Sequence, residues 1–233
     1  MREARRLRRG VTAPSCPPVE KNRPRPSGTL TTMASQTHWE DVYTRKKVDE
    51  VSWYRPHLDQ SLELLTRLPR GAVIDVGAGA STLVDDLLAR GYGPVTVNDL
   101  SATALATSQR RLGDRATAVH WVVGDIISAP LPAQAFDLWH DRAVFHFLRT
   151  PEERARYVAA VRHALKPGGH LLVATFGPEG PTQCSGLEVC RYSADALHAE
   201  FGADFAKLGS VTELHQTPSG KTQQFVYCLC QRT

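Results

Sequence analysis

The chain of 233 residues is 42% hydrophobic and 22% charged, the composition of one globular domain with a sizeable core. Its formal charge of +4 is unevenly spread: residues 1–32 carry eight Lys and Arg against Glu3 and Glu20, leaving a net of −2 on the remaining 201 residues. That slightly acidic body removes the electrostatic argument for nucleic acid binding. No apolar run is long enough for a signal sequence or a membrane span, and the expectation is a cytoplasmic protein with no membrane contact.

Residues 1–37 read as a disordered basic tail or an upstream extension, because five of the fifteen prolines fall there and large apolar residues are almost absent. An Arg-rich leader is also the pattern of an organelle transit peptide, but the prolines work against the amphipathic helix that such a peptide needs. Met33 is an alternative start. The five cysteines (Cys16, Cys184, Cys190, Cys228, Cys230) are odd in number and lack CxxC spacing, which argues against a disulfide framework or a zinc site and for reduced thiols. No metal is expected.

From residue 38 onward strands and helices alternate. Apolar runs predict strands at Ala72–Val76, Val95–Asn98, Ala118–Val123, Ala135–Trp139 and His170–Thr175, and 3.6-residue periodicity predicts helices at Thr82–Arg90, Ala102–Leu112 and Pro151–Leu165. Repeated βα units imply a mostly parallel, doubly wound α/β sheet with helices on both faces. Two alternating runs, Lys207–His215 and Gln223–Cys230, joined by TPSGK, predict a closing antiparallel hairpin.

The stretch GAVIDVGAGASTLVDDLL (71–88) places a glycine turn between a strand and a helix, which lets backbone approach a ligand and aims helix N–H groups at it. A P-loop would need GxxxxGK[ST], which is absent, and a dinucleotide turn would have a third small residue where Thr82 stands. Asp75, two residues before Gly77, offers nothing to a pyrophosphate but suits a cofactor with a cationic amino acid end. Asp99 ends the second strand, where a carboxylate can accept both hydroxyls of a ribose. Gly124-Asp125-Ile126 ends the third and sets an acceptor for an amine beside an apolar residue.

Together D-V-G-A-G (75–79), the acid at Asp99, G-D-I (124–126) and LKPGGHLLVATF (165–176) resemble the class I S-adenosylmethionine-dependent methyltransferases, over about residues 38–233. The resemblance implies a seven-stranded Rossmann-like sheet of order 3-2-1-4-5-7-6 with strand seven antiparallel. It implies that Asp75 orients the methionine end and that Gly77, Ala78 and Gly79 allow close approach. Asp99 would hold the ribose, Leu100 would belong to the cofactor site, and Asp125 and Ile126 would frame the adenine. It also implies that the aromatic segment at about 38–60, with Trp39, Tyr43, Trp53 and Tyr54, is a lid, whose Trp53 or Tyr54 can attract a sulfonium through a cation–π contact.

The acceptor should face segments at the carboxyl ends of strands four and five. The first, HDRAVFHFL, offers Asp141, Arg142 and His146 as candidate catalytic residues, with Asp141 also a candidate cofactor ligand. The pattern resembles D-[KR]-G-T-x-D of a group of protein lysine methyltransferases, although Ala143 and Val144 replace Gly-Thr and His146 replaces the second acid. No NPPY-type motif for base amines is present. The second segment, Gly177–Cys190, carries Cys184 and Cys190, read as free structural thiols or ligands for a soft acceptor. The expected function is methyl transfer to S, N, O or carboxylate of a small molecule, by a monomer or dimer. A protein lysine substrate, or a catalytically silent cofactor-binding protein, are the alternatives.

Overall fold

In the computed structural model, which describes residues 13–17 and 36–233, helices α1 (Gln36–Arg45) and α2 (Asp59–Leu65) precede the first strand. The alternation then runs β1 (Val73–Val76), α3 (Leu83–Ala89), β2 (Val95–Asp99), α4 (Ala102–Leu112), β3 (Val119–Val123), β4 (Phe136–Arg142), α5 (Pro151–Ala164) and β5 (Leu165–Phe176). A small ribbon, β6 (Gln183–Cys184) and β7 (Leu187–Glu188), and α6 (Ala194–Phe201) lead into the hairpin of β8 (Phe205–Gln216) and β9 (Thr222–Arg232). The main sheet has seven strands in the order β3-β2-β1-β4-β5-β9-β8, with β9 antiparallel to both neighbours. Since β8 and β9 are its sixth and seventh strands, this is the order the resemblance implies.

Helices cover both faces, and so the central strands are buried on both sides. Along β1, Val73 joins Leu62, Leu87, Leu105 and Leu138 in one core under α2, α3 and α4. Its neighbour Ile74 joins Trp139, Tyr157, Val161 and Leu197 in another under α5 and α6. The same period of two sorts β4, whose Leu138 and Trp139 belong to opposite cores.

Local capping fixes where helices begin. Thr150 Oγ1 accepts from Glu153 N at 3.2 Å while Glu153 Oε2 accepts from Thr150 N at 3.0 Å, with Pro151 in the first turn of α5. Such a reciprocal cap contributes about 1 kcal/mol. Ser101 and Ser193 cap α4 and α6 one way only, accepting from Ala104 N and Ala196 N. Helices α1, α2 and α6 are additional to the three expected from periodicity.

The expectation for the cysteines needs correcting. Cys16 and Cys190, 174 residues apart, form a disulfide, leaving Cys184, Cys228 and Cys230 free among the described residues. Ser15 also exchanges two backbone hydrogen bonds of 3.0 Å with Arg191, seating residues 13–17 against the domain. Spacing carries no signal for a pair this distant. The remainder of the expected tail, residues 1–12 and 18–35, lies outside the described residues. No helix among the described residues is long and apolar enough to cross a membrane.

Candidate active site

The glycine turn is built from two left-handed residues, Gly77 at φ 61° and Gly79 at φ 56°, a region that a side chain makes costly. Space is equally restrictive: a Cβ on Gly77 would lie 2.0 Å from Val144 Cγ2, and one on Gly79 would lie 2.1 Å from the Tyr43 hydroxyl. The turn is held from the next strand, with Ala78 N donating to Asn98 O at 3.0 Å and Gly79 N to Asp99 Oδ2 at 2.7 Å.

Asp99 Oδ1 accepts from Ser101 N at 2.8 Å. Burial pushes the Asp99 carboxyl up to about 6, against the pull of these two backbone donors. Each carboxylate oxygen has two acceptor sites, and so room for further donors remains. Asp75 is equally buried. Its Oδ1 accepts from His140 Nδ1 at 2.7 Å, and His140 Nε2 meets Ser61 Oγ at 2.9 Å. Oδ2 of Asp75 takes no hydrogen bond among the described residues.

Helix α1 and the segment after it close over this turn. Trp39 packs edge-on against Trp53 (5.8 Å) and Phe147 (5.4 Å), and Tyr43 against Trp53 (6.3 Å). Polar contacts fasten the cover. Glu40 accepts from Ala102 N and Thr103 N at the start of α4, where the helix dipole favours an anion. Burial alone would raise the Glu40 carboxyl, but its hydrogen bonds to Thr103 and Ala102 prevail and hold it below the usual range. Further along, Ser52 O meets His215 Nε2 at 2.8 Å, Trp53 O accepts from Arg142 Nη1 at 3.2 Å, and Arg55 pairs with Glu213 at 3.1 Å.

Two cavities lie beneath. One, of about 510 Å³, is lined by Asp75, His140, Tyr54 and Arg55, and the other, of about 610 Å³, by Asp99, Leu100, Gly124, Trp39, Phe147 and Cys184. Both volumes include space open to solvent. They share Tyr43, Trp53, Gly77 and Arg142 as lining, so the cavities meet where these four converge. Burial pushes the Cys184 thiol up to about 12, keeping it protonated.

Of the three candidate catalytic residues only Arg142 reaches the cavities. Asp141 points to the opposite face of β4, where it accepts from the Tyr157 hydroxyl, from Val144 N at 2.9 Å and from Phe145 N at 3.1 Å. Burial pushes its carboxyl up to about 6. It braces the turn after β4 and lines neither cavity, whereas it was expected among both the catalytic and the cofactor residues. His146, also expected among the catalytic residues, is sealed between Phe147 and Phe176, accepts from Phe176 N at 3.4 Å, and burial pushes it down to about 3, hence uncharged.

Asp125 and Ile126 follow the cavity-lining Gly124 without lining either cavity themselves. Asp125 Oδ1 accepts from Ile127 N at 3.0 Å, and Ile126 is buried in the core under α5. Ala143, at the glycine position of the lysine-type motif, has φ 75°, a strained value for a residue with a Cβ. Residues that the sequence did not single out include Ser61, His140, Arg55, Glu213 and Tyr227. A two-residue spacing from Arg142 puts His140 on the same face of β4, but only the register of β1 with β4 brings it to Asp75.

The comparisons with known proteins agree with this geometry. Residues 74–173 match the family model described as a methyltransferase domain. An uncharacterized methyltransferase of Mycobacterium tuberculosis is 32% identical over 120 residues, 52% of this chain and 58% of that protein. The chain thus spans little more than half the length of the curated relative it matches. A structure described as the conversion of a disulfide bond into a thioacetal group during echinomycin biosynthesis aligns with TM-score 0.70 at 19% identity, covering 84% of this chain and 92% of the other. The 1,6-didemethyltoxoflavin-N1-methyltransferase of Burkholderia thailandensis, solved with its acceptor and S-adenosylhomocysteine, aligns with TM-score 0.60 at 21% identity, covering 83% and 81%. Residues 74–173 thus form a methyltransferase domain, and the sheet order and glycine turn around them have the fold of the class I S-adenosylmethionine-dependent methyltransferases.

Proposed function

We propose that the chain transfers the methyl group of S-adenosylmethionine to a nucleophilic S, N, O or carboxylate of a small molecule. The observation that carries this is the meeting of two cavities at Tyr43, Trp53, Gly77 and Arg142, one beside Asp75 and the other beside Asp99. Asp99 and Leu100 hold the ribose, Asp75 Oδ2 takes the amino group, and the turn at Gly77, Ala78 and Gly79 lets the backbone approach. Asp125 lies beside the adenine edge. When bound, the cofactor supplies an electrophilic methyl on a cationic sulfur.

The contribution of the protein is to orient the acceptor and exclude water under the cover of Trp39, Tyr43, Trp53 and Tyr54. An aromatic face near a sulfonium is attractive, and Trp53 and Tyr43 border both cavities. A small acceptor is favoured because the aromatic cover lies over both cavities and the toxoflavin-precursor enzyme of the same fold acts on a compact heterocycle.

The test is label transfer from S-adenosyl-[methyl-³H]methionine in a lysate, split into protein and small-molecule fractions. Label in the small-molecule fraction supports the proposal. Label in protein bands means a protein acceptor, and cofactor binding with no label in either fraction means a silent binder.

A further inference from the structure

We infer that the methyl acceptor carries a carboxylate, held by Arg142. This deepens the proposed methyl transfer and rests on it. Arg142 ends β4 on the face of His140 and borders both cavities, yet only 5% of its side chain is exposed. A buried guanidinium needs partners for five N–H groups, and leaving them unmade is costly. Nε donates to the Tyr227 hydroxyl at 2.9 Å and Nη1 to Trp53 O at 3.2 Å, while Nη2 is buried without a hydrogen bond.

The nearest carboxylate does not make good the deficit. Glu213 Oε2 lies 3.7 Å from Nη2, too far for a hydrogen bond, and Glu213 already accepts from Arg55 at 3.1 Å and from Tyr227 at 2.7 Å. Two guanidinium groups thus share one carboxylate, leaving one positive charge in excess at this corner. Of the other acids that line the cavities, Asp75 meets His140 through Oδ1, with Oδ2 assigned above to the cofactor amino group, and Asp99 accepts from Gly79 N and Ser101 N.

The guanidinium is also held in place before any ligand arrives. Its carbon lies 4.2 Å from the centroid of Phe225, and the Tyr227 and Trp53 contacts fix its plane. A planar, immobile fork suits a carboxylate better than a point charge does. The methyl donor is itself a cation, so an ammonium acceptor would meet two like charges in a poorly solvated space, whereas an anion would be attracted by both. Holding the lid through Trp53 O occupies Nη1 and leaves Nη2 unexplained.

The experiment uses the full chain saturated with S-adenosylhomocysteine and titrated calorimetrically with benzoate, its neutral analogue benzamide and the cation benzylamine. Benzoate should bind saturably and at least tenfold more tightly than either of the others. Arg142→Gln, also saturated with S-adenosylhomocysteine, should lose that preference, and Arg142→Lys should recover part of it. The wild-type ranking stands as the test if the variants do not fold. Equal affinity for benzoate and benzamide, tighter binding of benzylamine, no saturable benzoate binding, or a preference retained by Arg142→Gln would overturn the inference. Failure of the wild-type chain to take up S-adenosylhomocysteine removes the methyltransferase proposal and this inference with it. Uptake without a carboxylate preference removes this inference alone.

Discussion

Asp75 and His140 are register partners on adjacent parallel strands, joined by a 2.7 Å hydrogen bond and both sealed from solvent. A carboxylate can only accept, so His140 Nδ1 carries a proton toward Asp75, while Nε2 lies 2.9 Å from Ser61 Oγ. The chain Ser61–His140–Asp75 therefore aims Asp75 Oδ2 with groups from α2, β4 and β1. His140→Ala would strand a buried carboxylate. Urea unfolding should show a loss of about 3 kcal/mol, and calorimetry a weaker uptake of S-adenosylhomocysteine. A loss below about 1 kcal/mol would mean the pair is not a stabilising unit.

Gly79 and Tyr43 make a second coupled pair, since a Cβ on Gly79 would meet the Tyr43 hydroxyl. Gly79→Ala should cost about 1–2 kcal/mol for the left-handed backbone, plus a steric part that lifts the lid. In a Tyr43→Ala background the steric part should vanish and the backbone part remain. Thermal unfolding of the four proteins in this cycle separates the two. Additive effects would show that Tyr43 does not press on the turn.

Asp99 gives a pH signature. Burial raises its carboxyl to about 6, so the proposed ribose acceptor is lost as pH falls through that value. Affinity for S-adenosylhomocysteine should weaken up to about tenfold per pH unit below it. The sign for stability is opposite, because a raised folded pKa means the folded chain binds protons that the unfolded chain does not. Asp99, with Asp141 also raised to about 6, should make the ligand-free protein more stable as pH falls from above 6 toward the ordinary carboxyl value of about 4. Calorimetry and thermal unfolding between these limits read the two trends separately. Asp99→Asn should flatten the affinity profile, and a profile unchanged by it would remove Asp99 from the ribose site.

The lid latch predicts a protease signature. Glu40→Ala removes the anion that accepts from Ala102 N and Thr103 N, a contact of about 0.5–2 kcal/mol by analogy with helix N-caps. Cleavage between His38 and His57 should quicken in this variant and slow when S-adenosylhomocysteine is added to the wild type. Trp53→Ala should lower turnover more than thermal stability. Cleavage rates indifferent to ligand and to Glu40 would make the segment a fixed part of the domain.

Cys16–Cys190 predicts a redox dependence of stability that involves the beginning of the chain. A cross-link closing a loop of 174 residues is worth about 5 kcal/mol in the chain-entropy account. Dithiothreitol should lower the unfolding temperature of the full chain and leave unaffected a chain beginning at Met33, which is expected to fold and bind S-adenosylhomocysteine. An unchanged unfolding temperature on reduction would show that the bridge contributes nothing to stability.

What the sequence by itself determined is what short stretches of chain decide. The glycine turn with Asp75 before it, the acid at Asp99 and the hairpin around TPSGK were legible because a strand, its turn and the following helix are set by neighbours within a few residues. The order of the βα units then restricts how the sheet can be wound. Tertiary structure alone decided the acceptor end of the site. Asp141 and Arg142 are adjacent and both polar, but β4 is buried on both faces, and so the usual inside-or-outside pattern could not tell which of them turns toward the cavity. The partners of Arg142 lie far along the chain, Tyr227 by 85 residues and Trp53 by 89, and Cys16 meets Cys190 across 174. Those contacts exist only once the hairpin, the lid and the sheet have packed together. The glycine turn is therefore local and readable, while the surroundings of Arg142 are a product of the assembled fold.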